Sequence, residues 1–452
     1  MSKILIISYY YKHKNAMASI RAIKLAKYFS LEGHDVTVLT SNQRDTWTKN
    51  INQVVFDSKI KEIYCEENKF WTKIYDYLEK RKKNKINNKN IDIESDKFVK
   101  EENVDNKILN LKNKITNIIK WSFYFLLAIL EDLTLFWELK RTCNKNLEQC
   151  YEIVISTYPT YGAMMMGNYM KLKKKCKVYV ADFRDPLYNP KFRPNKIEQI
   201  YDKWALCSVL KRADFIICVS EGIKKGINEF IEKYRLKIDK SNISVIYNGY
   251  DLDDIKIDSK SIKLNNKIVN FVYTGTLYEG KRTIEVLGKI LEELIYENKI
   301  NKADFCLHYA GPHKEEWLKQ ISLYGLEKNT KIYGFVSREC SLELQSQANA
   351  LVLLTWDEKD YEGVIPGKLF EYMAYKSIPI IAIITGDNQN CEVSRIIDKS
   401  NCGISYEYAR PDKEKMKLFI LELFKSKREI LAEVEVYNYK SLSKQYIKKI
   451  KL

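Results

Sequence analysis

The feature that most constrains the fold is a series of short apolar runs, each of strand length and each separated from the next by a helical pattern. Ile4–Tyr9 opens the series, a helical pattern covers Ser19–Leu31, and Val36–Thr40 begins the next strand. This β–α–β alternation predicts a parallel sheet with helices on its faces. Later runs of the same series are Ile153–Ser156, Val178–Val180, Phe215–Val219 and Ser244–Ile246.

A second series follows a polar stretch, from Asn248 to Lys267, which we interpret as a linker. Two consecutive series predict an α/β chain of two Rossmann-like domains that face a central cleft. We expect an N-terminal domain over 1–250, a C-terminal domain over 265–430, and a last helix over 431–452 that crosses back to the first domain. The apolar runs of the second series are Val269–Tyr273, Phe305–Tyr309, Lys331–Tyr333, Ala350–Leu354 and Ile378–Ile383.

The composition fits a folded protein of two or three domains, because 45% of the 452 residues are hydrophobic and 30% are charged. A net charge of +17 indicates an anionic partner, such as a phosphate-bearing substrate or an anionic lipid. No nucleic-acid-binding motif accompanies the basic residues, so we expect no nucleic-acid partner.

The ten cysteines and four histidines indicate neither a disulfide framework nor a metal site. No two cysteines have Cys-x-x-Cys spacing, and no histidine pairs with a cysteine cluster. Reduced thiols and the absence of a signal-peptide pattern after Met1 predict a cytoplasmic protein. Because no cluster of metal ligands is visible in the sequence, we expect no metal or other cofactor.

The stretch 66–150 differs from the rest and is interpreted as an insertion in the first domain. Lysine and asparagine dominate its first part, and Lys80–Lys89 carries six basic side chains. The apolar segment 121–139 is too short for a membrane crossing, which needs on the order of 20 apolar residues. It predicts a helix that is buried or lies in a membrane interface.

The segment from Pro366 to Glu371 is the leading candidate for binding chemistry. Pro366 and Gly367 predict a loop that ends at a helix N-terminus, where backbone N–H groups favour a phosphate. Lys368 adds a full charge there, and Glu371 lies on the same helical face. One carboxylate can accept hydrogen bonds from both hydroxyls of a ribose. The alternative is a capped core helix with a surface Lys–Glu pair.

A second candidate is the turn after Val272–Thr274, where Gly275 is followed by Lys281 and Arg282. Small residues let a backbone approach a phosphate, and the two basic side chains could neutralise a diphosphate. Alone, an exposed Lys-Arg pair usually belongs to a solvated surface. Its position at a strand's carboxyl end favours the binding interpretation.

Candidates in the first domain follow the strand Val178–Val180 or lie near the start of the first helix. Asp182, Arg184 and Asp185 could bind acceptor hydroxyls or orient another group, or could form an internal ion-pair cluster. Arg21 could meet an acceptor phosphate or be a plain surface arginine. The acceptor-binding candidates are Ser19, Arg21, Tyr161 and Asp185.

Taken together, these segments resemble the retaining GT-B glycosyltransferases of family four, especially bacterial members that build capsule, O-antigen, lipopolysaccharide or other surface polysaccharides. The resemblance spans nearly the whole chain except the insertion, and its pieces occur in the family's order. They are Lys3–Ser8, Gly33–Thr40, Asp182–Pro186, Val219–Gly222, Val245–Asp251, Tyr273–Leu277, Tyr309–Gly311, Tyr333–Val336 and Pro366–Ala374.

The resemblance implies roles for particular residues. Glu371 would bind the donor ribose, the basic residues after Gly275 would bind the diphosphate, and the loop Gly363–Gly367 would wrap the sugar and phosphates. Catalysis is assigned to Asp182, Arg184 and Glu371. The donor nucleotide and phosphate set is Gly275, Lys281, Arg282, Gly363, Val364, Ile365, Gly367, Lys368 and Glu371.

Two positions depart from the family's pattern. Gly363 stands where a second glutamate is usual, and Glu362 is one residue too early. Tyr161 stands in the loop where a histidine is frequent. These departures affect the sugar half of the donor site more than the nucleotide half.

The resemblance implies transfer of a sugar from a nucleoside diphosphate sugar, with retention, to a saccharide acceptor, which would be lipid-linked if the protein docks on a membrane. Lysine and arginine would replace a metal at the leaving diphosphate. The basic insertion and the apolar segment 121–139 suggest docking on the anionic inner face of the cytoplasmic membrane. The alternatives are a sugar-nucleotide 2-epimerase of the same fold and a catalytically inactive binding subunit.

Overall fold

The structure is a computed structural model, and it describes residues 1–11, 17–41, 59–65, 73, 129–147, 150–185, 196–256, 262–278, 280–359, 362–425 and 432–450. The basic run Lys80–Lys89 lies outside the described residues, as do residues 121–128 of the apolar segment. Within the part described, no helix is both long enough and apolar enough to cross a membrane.

Seven strands form the first sheet, in which β1 pairs in parallel with β2 and with β4, and β2 pairs in parallel with β3. The strands are β1 Lys3–Ser8, β2 Asp35–Ser41, β3 Lys61–Cys65, β4 Tyr151–Tyr158, β5 Cys176–Phe183, β6 Phe215–Cys218 and β7 Ile243–Val245. The sheet order is β3-β2-β1-β4-β5-β6-β7, so the winding direction reverses between β1 and β4.

Helices alternate with these strands, as the sequence pattern predicts. They are α1 Met17–Leu31, α2 over the described residues 129–146, α3 Tyr161–Leu172, α4 Lys196–Leu210 and α5 Glu221–Lys233. Residues 129–139 of the apolar segment belong to α2, where Leu135 and Leu139 are buried and Trp137 is exposed. α2 therefore packs one face inward and presents an aromatic side chain outward.

Six strands form the second sheet, and all five neighbouring pairs are parallel. They are β8 Val269–Thr274, β9 Phe305–Ala310, β10 Thr330–Ile332, β11 Ala350–Trp356, β12 Ile380–Thr385 and β13 Gly403–Glu407. Their order is β10-β9-β8-β11-β12-β13, with the reversal between β8 and β11. β8, β11 and β12 are buried along nearly their whole length, which explains their continuous apolar runs.

Seven helices accompany the second sheet and the C-terminal residues: α6 Glu285–Tyr296, α7 Lys314–Ser322, α8 Arg338–Ser346, α9 Gly367–Met373, α10 Glu392–Ser400, α11 Lys413–Lys425 and α12 Tyr439–Ile450. The predicted C-terminal helix thus begins at Tyr439, after a 3₁₀ turn over Glu435–Tyr437.

The chain divides into two compact units. The first contains Met1–Asp182, Tyr188–Ile216 and Leu236–Ile238; the second contains Phe183–Leu187, Ile217–Arg235 and Asp239–Leu452. The predicted α/β class with two parallel, doubly wound sheets is confirmed. The domain limits 1–250, 265–430 and 431–452 stay predictions.

Candidate functional site

The candidate nucleotide site lies where the second sheet reverses its order, at the carboxyl ends of β8 and β11. Open parallel sheets bind ligands outside the carboxyl ends of their strands at such a reversal. The turn after β8 carries Gly275, and the segment after β11 leads to Gly367 and Lys368 at the start of α9. The fold therefore brings both predicted phosphate-binding segments to the same edge of one sheet.

The turn after β8 is held by aromatic packing. The rings of Tyr273, Tyr309 and Trp317 stack with centroids 4.5–6.0 Å apart. The Tyr273 hydroxyl donates to the Thr276 carbonyl oxygen at 2.6 Å. A Cβ at Gly275 would lie 3.0 Å from that hydroxyl oxygen, so glycine lets the turn pass close to the ring. The backbone at the predicted phosphate-binding turn is thus fixed before any ligand binds.

Two basic side chains follow this turn and lie beside Trp356, the last residue of β11. The Arg282 guanidinium carbon is 4.5 Å from the ring centroid of Tyr278 and 5.1 Å from that of Trp356. Its Nη1 also donates to the Thr276 carbonyl at 3.1 Å, so Arg282 stabilises the turn itself. Lys281 Nζ lies 5.4 Å from the Trp356 ring and 3.2 Å from the Glu358 carboxylate.

The Lys281–Glu358 pair is exposed on both sides, and such pairs contribute at most about 1 kcal/mol to stability. A phosphate with two negative charges can therefore replace Glu358 as the partner of Lys281 at little cost. Of the two basic residues predicted for the diphosphate, Lys281 is the one whose present contact is readily exchanged.

Glu371 is the most strongly held carboxylate at this edge of the sheet. Its side chain is 7% exposed, and it lies in the middle of α9. Oε1 accepts from Lys368 Nζ at 2.8 Å and from Gln345 Nε2 at 2.9 Å, and Oε2 accepts from Arg338 Nη1 at 3.1 Å. Burial alone would raise the pKa of Glu371, but Lys368 and Arg338 outweigh it and lower the pKa to about 2. Glu371 is therefore an anionic acceptor at every physiological pH.

Two members of this network, Arg338 and Gln345, were missed by sequence reasoning. Both lie on α8, which follows the edge strand β10 and contacts β8. Gln345 Nε2 also donates to Thr274 Oγ1 at 2.9 Å, so one amide joins Glu371 to the end of β8. No local spacing relates residues 338 and 345 to 371, because their proximity comes from the sheet order. Joint variation of these positions in an alignment of homologous sequences is the signal that could have revealed the contacts.

The loop before α9 explains the glycine at 363. Gly363 has φ +89°, and a Cβ there would lie 2.7 Å from both the Ile223 backbone nitrogen and Ser220 Oγ. The preceding Glu362 pairs with Lys225 at 2.9 Å. A glutamate at 363 would thus be strained and would collide with the start of α5. The loop continues through Val364 and Ile365, both partly buried, to Pro366.

In the first unit, the structure pairs two candidates that the sequence treated separately. Asp182 lies on β5 and is fully buried, and Arg21 of α1 is 1% exposed. Arg21 Nε donates to Asp182 Oδ2 at 2.9 Å and Nη2 donates to Oδ1 at 2.8 Å. This bidentate, buried ion pair ties α1 to the carboxyl end of β5. The partner of Asp182 is therefore Arg21 rather than the neighbouring Arg184.

The remaining first-domain candidates differ in accessibility. Ser19 and Tyr161 are buried, at 2% and 3% exposure, and Tyr161 packs against Tyr158 with ring centroids 5.2 Å apart. Arg184 is also buried, whereas Asp185 is exposed. Among the acceptor-binding candidates, Asp185 is the one whose side chain reaches solvent. The roles assigned to all of these residues stay predictions.

Residues 96–254 match the family model for Glycosyltransferase Family 4. The chain has no significant sequence match among curated proteins. Its resemblance to the GT-B glycosyltransferases of family four, predicted from ordered motifs, is thereby confirmed, and the bacterial surface-polysaccharide type stays a prediction.

Solved structures share the fold over the whole chain at low identity. A sucrose-phosphate synthase from Thermosynechococcus elongatus is 12% identical with a TM-score of 0.55, covering 99% of this chain and 98% of that one. A UDP-forming α,α-trehalose-phosphate synthase from Burkholderia xenovorans is 9% identical with a TM-score of 0.59, covering 100% and 99%. A UDP-GlcNAc 2-epimerase from Methanocaldococcus jannaschii is 12% identical with a TM-score of 0.51, covering 99% of each chain.

These likenesses show the fold, and the family match adds the sequence signature over 96–254. The chain therefore has the GT-B fold, and residues 96–254 carry a match to Glycosyltransferase Family 4. Because an epimerase shares the fold, the fold alone does not identify the reaction.

Proposed function

We propose that this chain transfers a sugar from a nucleoside diphosphate sugar, bound at the carboxyl edge of the second sheet, to a saccharide acceptor. The observation that carries the proposal is Glu371: a buried carboxylate kept ionised by Lys368 and Arg338 at the point where the sheet reverses. A buried anion with cations at its rim suits a ligand that offers hydroxyl donors next to a diphosphate.

In this proposal the donor's ribose binds at Glu371, and its diphosphate lies between Lys281 and the start of α9. The positive charges offset the charge that develops on the leaving diphosphate, so the transfer requires no metal ion. A departing phosphate oxygen accepts the proton of the attacking acceptor hydroxyl on the same face, which gives retention of the anomeric configuration.

The direct test is incubation of the purified full-length protein with UDP- and GDP-sugars, with and without saccharide acceptors. The proposal expects release of the nucleoside diphosphate only when an acceptor is present, unaffected by EDTA. Consumption of the sugar nucleotide without an acceptor would indicate an epimerase, and tight binding without turnover would indicate an inactive binding subunit. The anomeric configuration of the product, read by NMR, tests retention.

We further propose that the acceptor is lipid-linked and that the first unit docks on the inner face of an anionic membrane, as in surface-polysaccharide assembly. α4 presents Ile197, Ile200 and Trp204 at 3- and 4-residue spacing, each more than half exposed. On α2, Trp137 is 58% exposed and Lys140 Nζ lies 4.3 Å from its ring. Exposed tryptophan and isoleucine beside lysine is the composition of a membrane-interface surface.

The net charge of +17 complements an anionic bilayer. Flotation with vesicles that contain phosphatidylglycerol should therefore carry the wild-type protein upward, and Ile200→Ser/Trp204→Ser should weaken this binding. Leu418→Ser, a change at an exposed apolar residue of the second unit, is the matched control and should float like the wild type. Equal flotation of all three proteins would overturn the docking assignment, and deletion of 80–139 tests the contribution of the insertion.

A further inference from the structure

The hydrogen bonds already made by Glu371 limit what it can do for a ligand. A carboxylate has about four acceptor positions, two on each oxygen. Lys368 and Gln345 both bind Oε1, and Arg338 binds Oε2. One acceptor position on Oε2 therefore remains, whereas a ribose diol brings two hydroxyl donors. Glu371 alone cannot accept both hydroxyls without giving up one of its present partners.

Arg338 lies where the second interaction is needed. Its Nη1 is 3.1 Å from the Oε2 that still has an acceptor position, and its side chain is 33% exposed. A guanidinium has five N–H donors in a planar fork, and the contact with Glu371 uses one of them. A hydroxyl placed beside Oε2 can donate its proton to the carboxylate and accept an N–H from Arg338 at the same time.

The other two partners of Glu371 are less suited to this role. Gln345 is fully buried, and its Nε2 also contacts Thr274 Oγ1 and Ser341 Oγ. Lys368 is the second residue of α9 and binds the opposite oxygen, Oε1. Arg338 is thus the donor that combines contact with Oε2, partial exposure and further N–H groups.

We propose that Arg338 is a further nucleotide-binding residue, which reads the ribose diol of the donor together with Glu371. Glu371 accepts a hydrogen bond from one hydroxyl of the diol, and Arg338 donates a hydrogen bond to the oxygen of that same hydroxyl. This inference rests on the proposed function and specifies its substrate: a ribonucleoside diphosphate sugar with an intact 2′,3′-diol. A deoxy donor would leave Arg338 and the open acceptor position of Oε2 without their partner, which a buried site penalises.

The experiment is isothermal titration of the full-length protein with UDP and GDP and with their 2′,3′-dideoxy counterparts. The wild-type protein should bind the ribonucleotide at least about tenfold more tightly than the dideoxy form. Arg338→Met should weaken ribonucleotide binding by roughly 10- to 100-fold and leave dideoxy binding within about twofold. The preference for the diol should therefore fall in this variant, and the part that remains is due to Glu371.

Two further variants keep the result interpretable. Arg338→Lys retains the charge without the fork and should lose part of the preference. Arg410→Met removes an exposed arginine of the same unit and should bind like the wild type. An unchanged preference in Arg338→Met and Arg338→Lys, or an equal loss for ribo and dideoxy forms, would overturn the role of Arg338 while leaving the donor site intact. A wild-type protein that binds neither UDP nor GDP would instead overturn the proposed donor site itself.

Discussion

Each compact unit contains a buried carboxylate, Asp182 near the carboxyl end of β5 and Glu371 in α9, yet the two carboxylates are in opposite situations. Asp182 is fully buried and is bound bidentately by Arg21, which is itself 1% exposed. Glu371 is bound by Arg338 and Lys368, whose side chains are about one-third exposed. In the first pair both side chains are buried, whereas at Glu371 the carboxylate is buried and its two basic partners are partly exposed.

This difference separates a structural ion pair from a binding site. Breaking a fully buried ion pair is strongly destabilising, so loss of the Arg21–Asp182 pair should lower the free energy of unfolding. The cations around Glu371 reach solvent and can accept a new anionic partner without exposing an interior charge. We therefore expect substitutions at Asp182 to act on stability and substitutions at Glu371 to act on nucleotide binding.

The largest expected effect is at Asp182. Asp182→Ala should lower the free energy of unfolding by about 3–5 kcal/mol, because the buried Arg21 guanidinium loses the carboxylate that binds it bidentately. Urea unfolding of the full-length protein measures this loss. The charge-free double variant Arg21→Met/Asp182→Leu should recover most of it. A stable Asp182→Ala protein that binds nucleotide but no longer transfers sugar would contradict the structural assignment and restore a catalytic one.

The second prediction concerns Gly363, where the family's usual glutamate is missing. Gly363→Glu should destabilise the protein by about 2–5 kcal/mol, since it combines a positive φ with a collision at the start of α5. Gly33→Glu is the matched control: it has φ +85° with open space around it, and should cost about 1–2 kcal/mol. Equal losses in the two variants, or faster sugar transfer in Gly363→Glu, would show that the loop accepts a glutamate.

The smallest expected effect is that of pH on donor binding. The pKa of Glu371 is lowered to about 2, and burial with nearby Lys331 lowers the pKa of His308 to about 4. Neither group changes charge between pH 5 and 8, so affinity for a nucleoside diphosphate sugar, which has no ionisation in this range, should stay within about twofold. Titrations at several pH values test this, and a tenfold change would contradict the assigned charge of Glu371.

The same pKa shift has a consequence for acid stability. Because folding lowers the pKa of Glu371 from 4.5, its ionised form stabilises the native state above about pH 4.5. This contribution is lost as the pH falls towards 2. Glu371→Gln should therefore flatten part of the acid limb of the stability curve, measured by circular dichroism.

Much of the fold could be predicted from the sequence because the central strands are buried on both faces. β8, β11 and β12 are continuous apolar runs, and such runs need no tertiary information to be recognised. The strands that the sequence analysis missed, β3 and β13, lie at sheet edges and mix buried residues with exposed or half-buried ones. Their pattern resembles that of a polar loop.

The candidate site was predictable where its residues are close in sequence. Lys368 and Glu371 share one helical turn, so their contact follows from spacing alone. Arg338 lies 33 residues before Glu371, and Arg21 lies 161 residues before Asp182. These contacts depend on strand order and on helix packing, which periodicity does not encode. The requirement for glycine at position 363 likewise comes from the close approach of the start of α5, which the local sequence does not encode.

The central claim is that Glu371 binds the ribose of a sugar-nucleotide donor at the carboxyl edge of the second sheet. It is tested most directly by calorimetric titration of the wild-type protein and Glu371→Gln with UDP- and GDP-sugars, with thermal unfolding as the check on folding. We predict that the wild type binds one of the two donor classes and that Glu371→Gln binds it roughly 10- to 100-fold more weakly, because the charged acceptor of a ribose hydroxyl is lost. Equal affinity in the two proteins, or no binding by the wild type, would contradict the claim.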